Sequence, residues 1–449
     1  MLPPADDTIA ALATAPGTGA VAIVRISGPA AAAIARRVTG RGAAPRIAEL
    51  RVFKDRDGAE IDRGLTLYFP APDSYTGEEV VELHCHGSRV VVDWLLETIY
   101  AYGARPAGPG EFTLRAFLND KLDLAQAEAI ADLVASGSRL AARAALRSLT
   151  GEFSTEVQAV QRSLTELRVL CEAWLDFPDE ELDRGAATQL QLRTGAIDAE
   201  LASLETRAAQ GAVLHDGLTV AICGPPNVGK SSLLNRLAGY DAAIVTAVPG
   251  TTRDTIREYL SVDGVPLNVV DTAGFRATQD PVELEGVRRA HREIGVADHI
   301  LWVADIREGL DAALASAREL LPPDAAFTLL LNKVDLVGGA PRTYASDRVA
   351  VLETSALTGQ GMRELAGRLK ALAGWQENVP GTFSARRRHV DALARAHDHV
   401  RRAWAAMNAE LEIAAEELRG AQTALGELTG ELTSDDLLGE IFASFCVGK

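Results

Sequence analysis

The sequence predicts a multidomain α/β-plus-α protein. An α+β N-terminal domain and a discontinuous helical bundle surround an inserted domain with a doubly wound parallel sheet. Three observations carry that expectation. A glycine-bearing loop, Gly224-Pro225-Pro226-Asn227-Val228-Gly229-Lys230-Ser231-Ser232, stands between the apolar run Leu218 to Cys223 and a helical pattern from Leu233. Apolar seams with alternating steps of four and three residues lie far upstream and far downstream of that loop. Ahead of the first seam, short β-branched runs mix with helical patterns.

Residues 1–118 form the expected N-terminal domain. Val21 to Ile26 ends at Ser27-Gly28-Pro29, Leu65 to Phe69 stops at Pro70, and Val80 to His86 stops at Gly87, so all three read as strands. Val90 to Tyr100 and Glu111 to Leu118 read as helices. Alternation places His84 and His86 on one face of their strand and Cys85 on the other. A metal site needs a third ligand, and none stands nearby in the sequence.

Residues 119–215 and 379–449 are expected to form one helical domain. Leu122, Ala125, Ala129 and Leu133 share a helical stripe. Phe153, Val157, Val160, Leu164, Leu167, Cys171 and Trp174 follow a heptad seam, and Ile197, Leu201, Leu204 and Ala208 a shorter one. Val400, Trp404, Met407, Leu411, Ala414, Leu418, Ala421, Leu425 and Leu428 repeat the same step downstream. Such seams need covering helices, and one bundle supplies them.

Residues 216–378 alternate strand and helix, the pattern of a doubly wound sheet, whose ligands sit at the carboxyl ends of the strands. The loop matches G-x-x-x-x-G-K-[ST]: its backbone N–H groups can surround a phosphate at a helix N-terminus. Lys230 is placed to reach the β- and γ-phosphates, and Ser231 to ligate Mg²⁺. Val269-Val270 leads into Asp271-Thr272-Ala273-Gly274, where Asp271 would hold Mg²⁺ through water and the Gly274 N–H would face a γ-phosphate. Gly250-Thr251-Thr252 lies where a first switch sits, with Thr252 a second Mg²⁺ hydroxyl. Asn332-Lys333-Val334-Asp335 would select guanine, because an Asp carboxylate accepts from its ring N–H and amine. Ser355-Ala356-Leu357 follows, and the Ala356 N–H is expected on the guanine carbonyl. Four such motifs at strand ends, the phosphate loop, Asp271–Gly274, Asn332–Asp335 and Ser355–Leu357, point to a Ras-like P-loop GTPase domain. Phe275 stands where a water-positioning Gln would be, so hydrolysis needs another residue and another positive charge.

At 449 residues, with 47% apolar and 24% charged side chains, the chain can bury about three cores. Its net charge of −17 excludes a general polyanion-binding surface, so nucleic-acid contact would need local basic patches. The four scattered cysteines form no C-x-x-C pair, which fits a reducing, cytoplasmic setting. The N-terminus lacks the charged and apolar regions of a secretory signal, and no apolar run approaches a membrane span.

The chain as a whole resembles the MnmE (TrmE) family of tRNA-modification GTPases. The resemblance rests on Phe117-Leu118-Asn119-Asp120-Lys121-Leu122-Asp123-Leu124 and its continuation to Asp132, on Asp176-Phe177-Pro178-Asp179-Glu180-Glu181, on Gly250-Thr251-Thr252-Arg253-Asp254, and on Thr433 to Gly439 with the terminal Phe445-Cys446-Val447-Gly448-Lys449. It implies a folate-binding N-terminal domain that joins a homodimer. It implies a complex with the flavoprotein MnmG, which holds FAD, and modification of C5 of the wobble uridine of certain tRNAs with an aminomethyl or carboxymethylaminomethyl group. The one-carbon unit would come from 5-formyl- or 5,10-methylene-tetrahydrofolate, bound at Arg25, Glu82, Lys121 and Lys449. The resemblance also implies activation by K⁺, held by Asn227 with Thr246, Val248 and Thr251, and catalysis by Glu283 acting on the attacking water. GTP contacts would span Asn227 to Ser232, then Thr246, Ala247, Val248, Pro249, Gly250, Thr251 and Thr252, with the three later motifs. Cys446 would be a reactive thiol in tRNA modification. The rival, a ribosome-assembly GTPase of the Era or Der kind, shares the Pro-Asn-x-Gly-Lys-Ser loop. It would carry a basic RNA-binding domain after the G domain, where this chain has an acidic bundle.

Overall fold

The computed structural model describes residues 7–176, 184–239, 257–271, 295, 297–323, 325–377, 379–407, 410–431, 435–443 and 445–448. It divides into two compact units, residues 1–131 with 425–449 and residues 132–424. Among the described residues, no helix is long and apolar enough to cross a membrane.

The first unit opens with β1 (Ile9–Leu12), β2 (Gly19–Ser27), α1 (Ala31–Thr39), β3 (Glu49–Lys54), β4 (Glu60–Phe69), β5 (Val80–Gly87), α2 (Arg89–Ala101), β6 (Arg105–Pro106) and α3 (Glu111–Leu118). Its six strands run in the order β3-β4-β5-β2-β1-β6. Alternation turns Val24 and Ile26 of β2 and Val81, Leu83 and Cys85 of β5 toward Ile34 of α1 and Leu95 and Ile99 of α2. The intervening residues take the opposite face. There Leu50, Leu65, His84 and Ile23 are successive cross-strand neighbours, and Arg25 pairs in register with Glu82.

The bundle supplies α4 (Leu124–Ala135), α5 (Arg139–Leu149), α6 (Glu152–Asp176) and α7 (Arg184–Asp216). The inserted domain supplies β7 (Leu218–Cys223), α8 (Lys230–Ala238), β8 (Arg257–Val262), β9 (Val265–Asp271), β10 (His299–Asp305), α9 (Leu310–Leu320), β11 (Phe327–Asn332), β12 (Thr343–Ser346), β13 (Val349–Thr354) and α10 (Met362–Leu372). The chain then returns through α11 (Arg387–Ala406), α12 (Leu411–Thr429) and α13 (Asp435–Ala443). Residues of α13 and the tail belong to the first unit: Leu438, Ile441, Phe442 and Phe445 share a small core with Leu114, Leu124 and Ala127. Val447 bridges Pro109, and the Gly110 N–H donates to the Cys446 carbonyl at 3.3 Å.

In the second unit the heptad seams are buried as expected, from Phe153 to Cys171 on α6 and from Ile197 to Ala208 on α7. Phe153 stacks on Phe383 with ring centroids 4.4 Å apart. The downstream seam departs from expectation. It is two helices, α11 and α12, and Trp404 is 40% exposed. Val400, Ala403 and Met407 take the inward positions, a step of three and then four, and the Trp404 ring lies over Gly195 on α7.

The inserted sheet runs β12-β13-β11-β10-β7-β9-β8. Its five middle strands are parallel, as the strand–helix alternation predicts; the edge strands β8 and β12 pair antiparallel with their neighbours. Both faces are covered. Val220, Ile222 and Leu330 pack with Leu233 of α8 and Leu365 of α10, while Cys223, Trp302 and Leu329 pack with Leu314 of α9. That two-sided burial explains the near-continuous apolar runs of these strands.

Candidate nucleotide site

The loop after β7 is held tightly from behind. Gly224 has φ 139°, and a Cβ there would collide with the Val303 carbonyl on β10. Gly229 has φ 99° and caps α8, and a Cβ there would overlap the Asn332 side-chain amide. Asn227, exposed, takes φ 62°, a left-handed conformation that Asn tolerates better than most residues. Lys230 begins α8, and its Nζ donates to the Gly224 and Pro225 carbonyls, each at 2.8 Å. The ammonium is therefore held at the mouth of the loop, beside the helix N-terminus where an anion is favoured. Ser231 and Ser232 follow on its exposed side, and Val228 is buried beneath.

The base-reading motifs close on this loop from the next strands. Asn332, at the end of β11, donates from Nδ2 to the Val228 carbonyl at 2.7 Å. Its Oδ1 accepts from the Ala356 N–H at 3.0 Å. Here the Ala356 N–H serves the buried Asn332 oxygen, which needs a donor. Lys333 Nζ donates to the Asn227 carbonyl at 2.7 Å and pairs with Asp305 at 2.9 Å. Ser355 Oγ donates to Asp335 Oδ1 at 2.5 Å, while Asp335 Oδ2 has no partner among the described residues. Beside them lies a cavity of about 390 Å³ lined by Ser232, Asn235, Arg236, Gly239, Ala356 and Leu357.

Two site residues escaped sequence reasoning. Asp305 closes β10, and hydrogen bonds from Arg307 and Lys333 hold its carboxyl well below the usual carboxylate range. A carboxylate ending the apolar run Ile300 to Ala304 is the available signal. Arg236 on α8 donates to the carbonyls of Ala356, at 2.9 Å, and Leu357, tying the last motif to the phosphate-loop helix. Nothing in the sequence marks it.

Of the remaining expected positions, Thr246 to Thr252, Thr272, Ala273, Gly274, Phe275, Glu283 and Lys449 lie outside the described residues. Asp271 is described by its backbone at the end of β9, opposite Ile222.

The expected folate positions lie in the first unit. Arg25 donates from Nε and Nη2 to Glu82 Oε1 at 3.0 and 2.9 Å, with the guanidinium over the rings of Tyr75 and Phe112 at 5.1 and 5.6 Å. Lys121 is exposed, its stem against Gly77 in the same connecting segment as Tyr75. Gly448 lies against the Leu12 carbonyl, one strand over from Arg25. Cys446 is exposed. His86 Nδ1 pairs with Asp62 at 2.8 Å and His84 Nε2 with Glu82 at 3.4 Å.

A glycine-shaped phosphate loop locked to an Asn-Lys-x-Asp strand end defines a guanine-nucleotide-binding P-loop protein. Family models extend the match beyond this domain: "GTP-binding protein TrmE N-terminus" covers residues 8–121, and "MnmE helical domain" covers 124–446. The tRNA modification GTPase MnmE of Nitrosococcus oceani is 52% identical over 446 residues, 99% of this chain and 97% of that one. Its counterpart in Alkalilimnicola ehrlichii is 54% identical over 447 residues, 98% of this chain and 99% of that one. The chain belongs to the MnmE family of tRNA modification GTPases.

Proposed function

We propose that this chain is a potassium-activated GTP hydrolase that works with the flavoprotein MnmG. Together they would add a carboxymethylaminomethyl or aminomethyl group to C5 of the wobble uridine of certain tRNAs, in the cytoplasm. The observation that carries the reading is the base pocket. Asp335 is oriented by Ser355, and Asn332 and Lys333 bind the phosphate loop's own carbonyls, so base recognition and phosphate binding form one rigid unit.

In this reading Lys230 moves from the loop carbonyls onto the β- and γ-phosphates, and Ser231 and Thr252 hold Mg²⁺, with Asp271 acting through water. Asn227, exposed with a left-handed backbone, faces the phosphates with Thr246, Val248 and Thr251 to hold K⁺. That cation supplies the charge an arginine finger otherwise gives. Glu283 orients the attacking water in place of the Gln that Phe275 displaces.

The N-terminal domain would take a tetrahydrofolate one-carbon unit. Arg25, Lys121 and Lys449 suit its carboxylates, and Glu82 suits the donor edge of the pterin. Tyr75 and Phe112 beside Arg25 offer aromatic faces. The open sheet face, where Leu50 is 72% exposed and Leu65 39%, supports a homodimer through this domain. The three-domain division at 118, 215 and 378, and the Cys446 thiol as a participant in modification, belong to the same proposal.

Mass spectrometry of wobble uridines in tRNA from a strain lacking this protein tests it. The 5-substituted uridines should disappear, and their persistence at the parental level would refute the function.

A further inference from the structure

The acidic chain carries one sharply basic surface that the nucleotide and folate readings leave unused. Between Asp132 and Glu152 there is no acidic residue, and Arg139, Arg143 and Arg147 recur at four-residue spacing. All three are exposed on α5, with Thr150 and Leu146 on the same stripe, while Ala141, Ala144, Ala145 and Ser148 face inward. A second basic segment packs onto this helix from far downstream. The Ser384 N–H donates to the Ala144 carbonyl at 3.0 Å, Ser148 Oγ donates to the Ser384 carbonyl at 2.8 Å, and Arg147 Nη1 donates to the Thr382 carbonyl at 3.4 Å. Those contacts bring up Arg386, Arg387 and Arg388, in a stretch free of acidic residues between Glu377 and Asp391. Asp132 neutralises Arg386 at 2.9 Å, and Glu152 approaches Arg147 at 3.9 Å. Arg387, exposed, adds to the three arginines of α5.

We propose that the exposed face of α5, together with the start of α11, is the surface on which this chain grips the phosphate backbone of tRNA. The inference rests on the tRNA reading above and names the side chains that would make the contact. Charge complementarity selects the partner. A protein interface of ordinary strength has an apolar core, and here Leu146 is the one large apolar side chain on the stripe. Successive arginines along one helix face suit a repeating phosphate chain, and such contacts position RNA without reading its sequence.

The test is fluorescence-anisotropy titration of the full-length protein with an unmodified tRNA transcript across a series of KCl concentrations. The variants are Arg139→Gln/Arg143→Gln, the triple variant adding Arg147→Gln, and a triple Arg→Lys control. Each phosphate contact contributes about 0.9 to the slope of log affinity against log salt on a duplex, so the triple Gln variant should lose about 2 to 3 units of slope. Affinity at low salt should fall at least about tenfold, GTP hydrolysis should stay at the parental rate, and the Lys variant should retain binding. Parental affinity and slope in both Gln variants would overturn the inference and leave the tRNA reading standing. A parent protein that binds no tRNA at any salt would overturn both. Loss of binding to an acidic protein partner, with tRNA binding unchanged, would also overturn it.

Discussion

Asp335 shows how much one carboxylate is asked to do. One oxygen is held by Ser355 Oγ at 2.5 Å, which fixes the direction of the other. In Asp335→Asn the amide oxygen can still accept from Ser355, but the donor pair of guanine loses its acceptor. GTP affinity should fall by roughly 2–4 kcal/mol, and xanthosine triphosphate should become a ligand, because the amide can donate to its second carbonyl. Competition binding with the two nucleotides measures both, and equal GTP affinity in parent and variant would contradict the base-reading assignment. At this scale the sequence was most informative where a motif has fixed spacing, as in Asn332 to Asp335. It was silent on Arg236, since a carbonyl-capping arginine leaves no pattern.

Among the elements, the long amphipathic ones were legible and the short ones were not. The α6 and α7 seams could be read because a heptad repeats many times. β1 and β6 have four and two residues, too few for any period, and exist through pairing across the chain, Ile9 with Arg105. The break between α11 and α12 was missed because Trp404 fits the four-three step as well as Ala403 does. The tail is the element on which the proposed folate role can be tested. Val447 bridges Pro109, and Gly448 lies against the Leu12 carbonyl of β1, in the unit that carries the proposed folate positions. Removing Gly448 and Lys449 should weaken 5-formyl-tetrahydrofolate binding while GTP hydrolysis continues at the parental rate. Calorimetric titration giving the same folate affinity would refute the role assigned to the tail.

For the molecule as a whole, two histidines in the second unit set opposite pH limits. Burial opposes charge on His215, but hydrogen bonds to Asp132, at 3.2 Å, and Asp216, at 2.7 Å, outweigh it and raise its pKa to about 9. The folded state then holds a proton that the unfolded state releases near 6.5. Its stabilisation is complete below pH 6.5 and is lost as pH rises through about 9. His299 is the reverse: burial, with the charge of Arg368, lowers it to about 4, so stability falls as pH drops from 6.5 through 4. His215 is partly exposed, so about 2 kcal/mol or less is expected from it. Urea unfolding from pH 4 to pH 10 should show a maximum near neutrality. His215→Gln should flatten the alkaline limb and leave the acid limb alone, and an unchanged alkaline limb would contradict the pairing.

The small core shared by α3, α4 and α13 couples residues near the two ends of the sequence. A ribosome delivers Leu114, Leu124 and Ala127 long before Leu438, Ile441, Phe442 and Phe445. Until those later residues emerge, the early half of that core remains bare apolar surface. A polypeptide halted anywhere before α13 would display it permanently, even with the nucleotide domain fully folded. Cellular proteases and chaperones recognise such surface. Completion of the first domain thus waits on the last helix of the chain, whatever the state of the nucleotide domain.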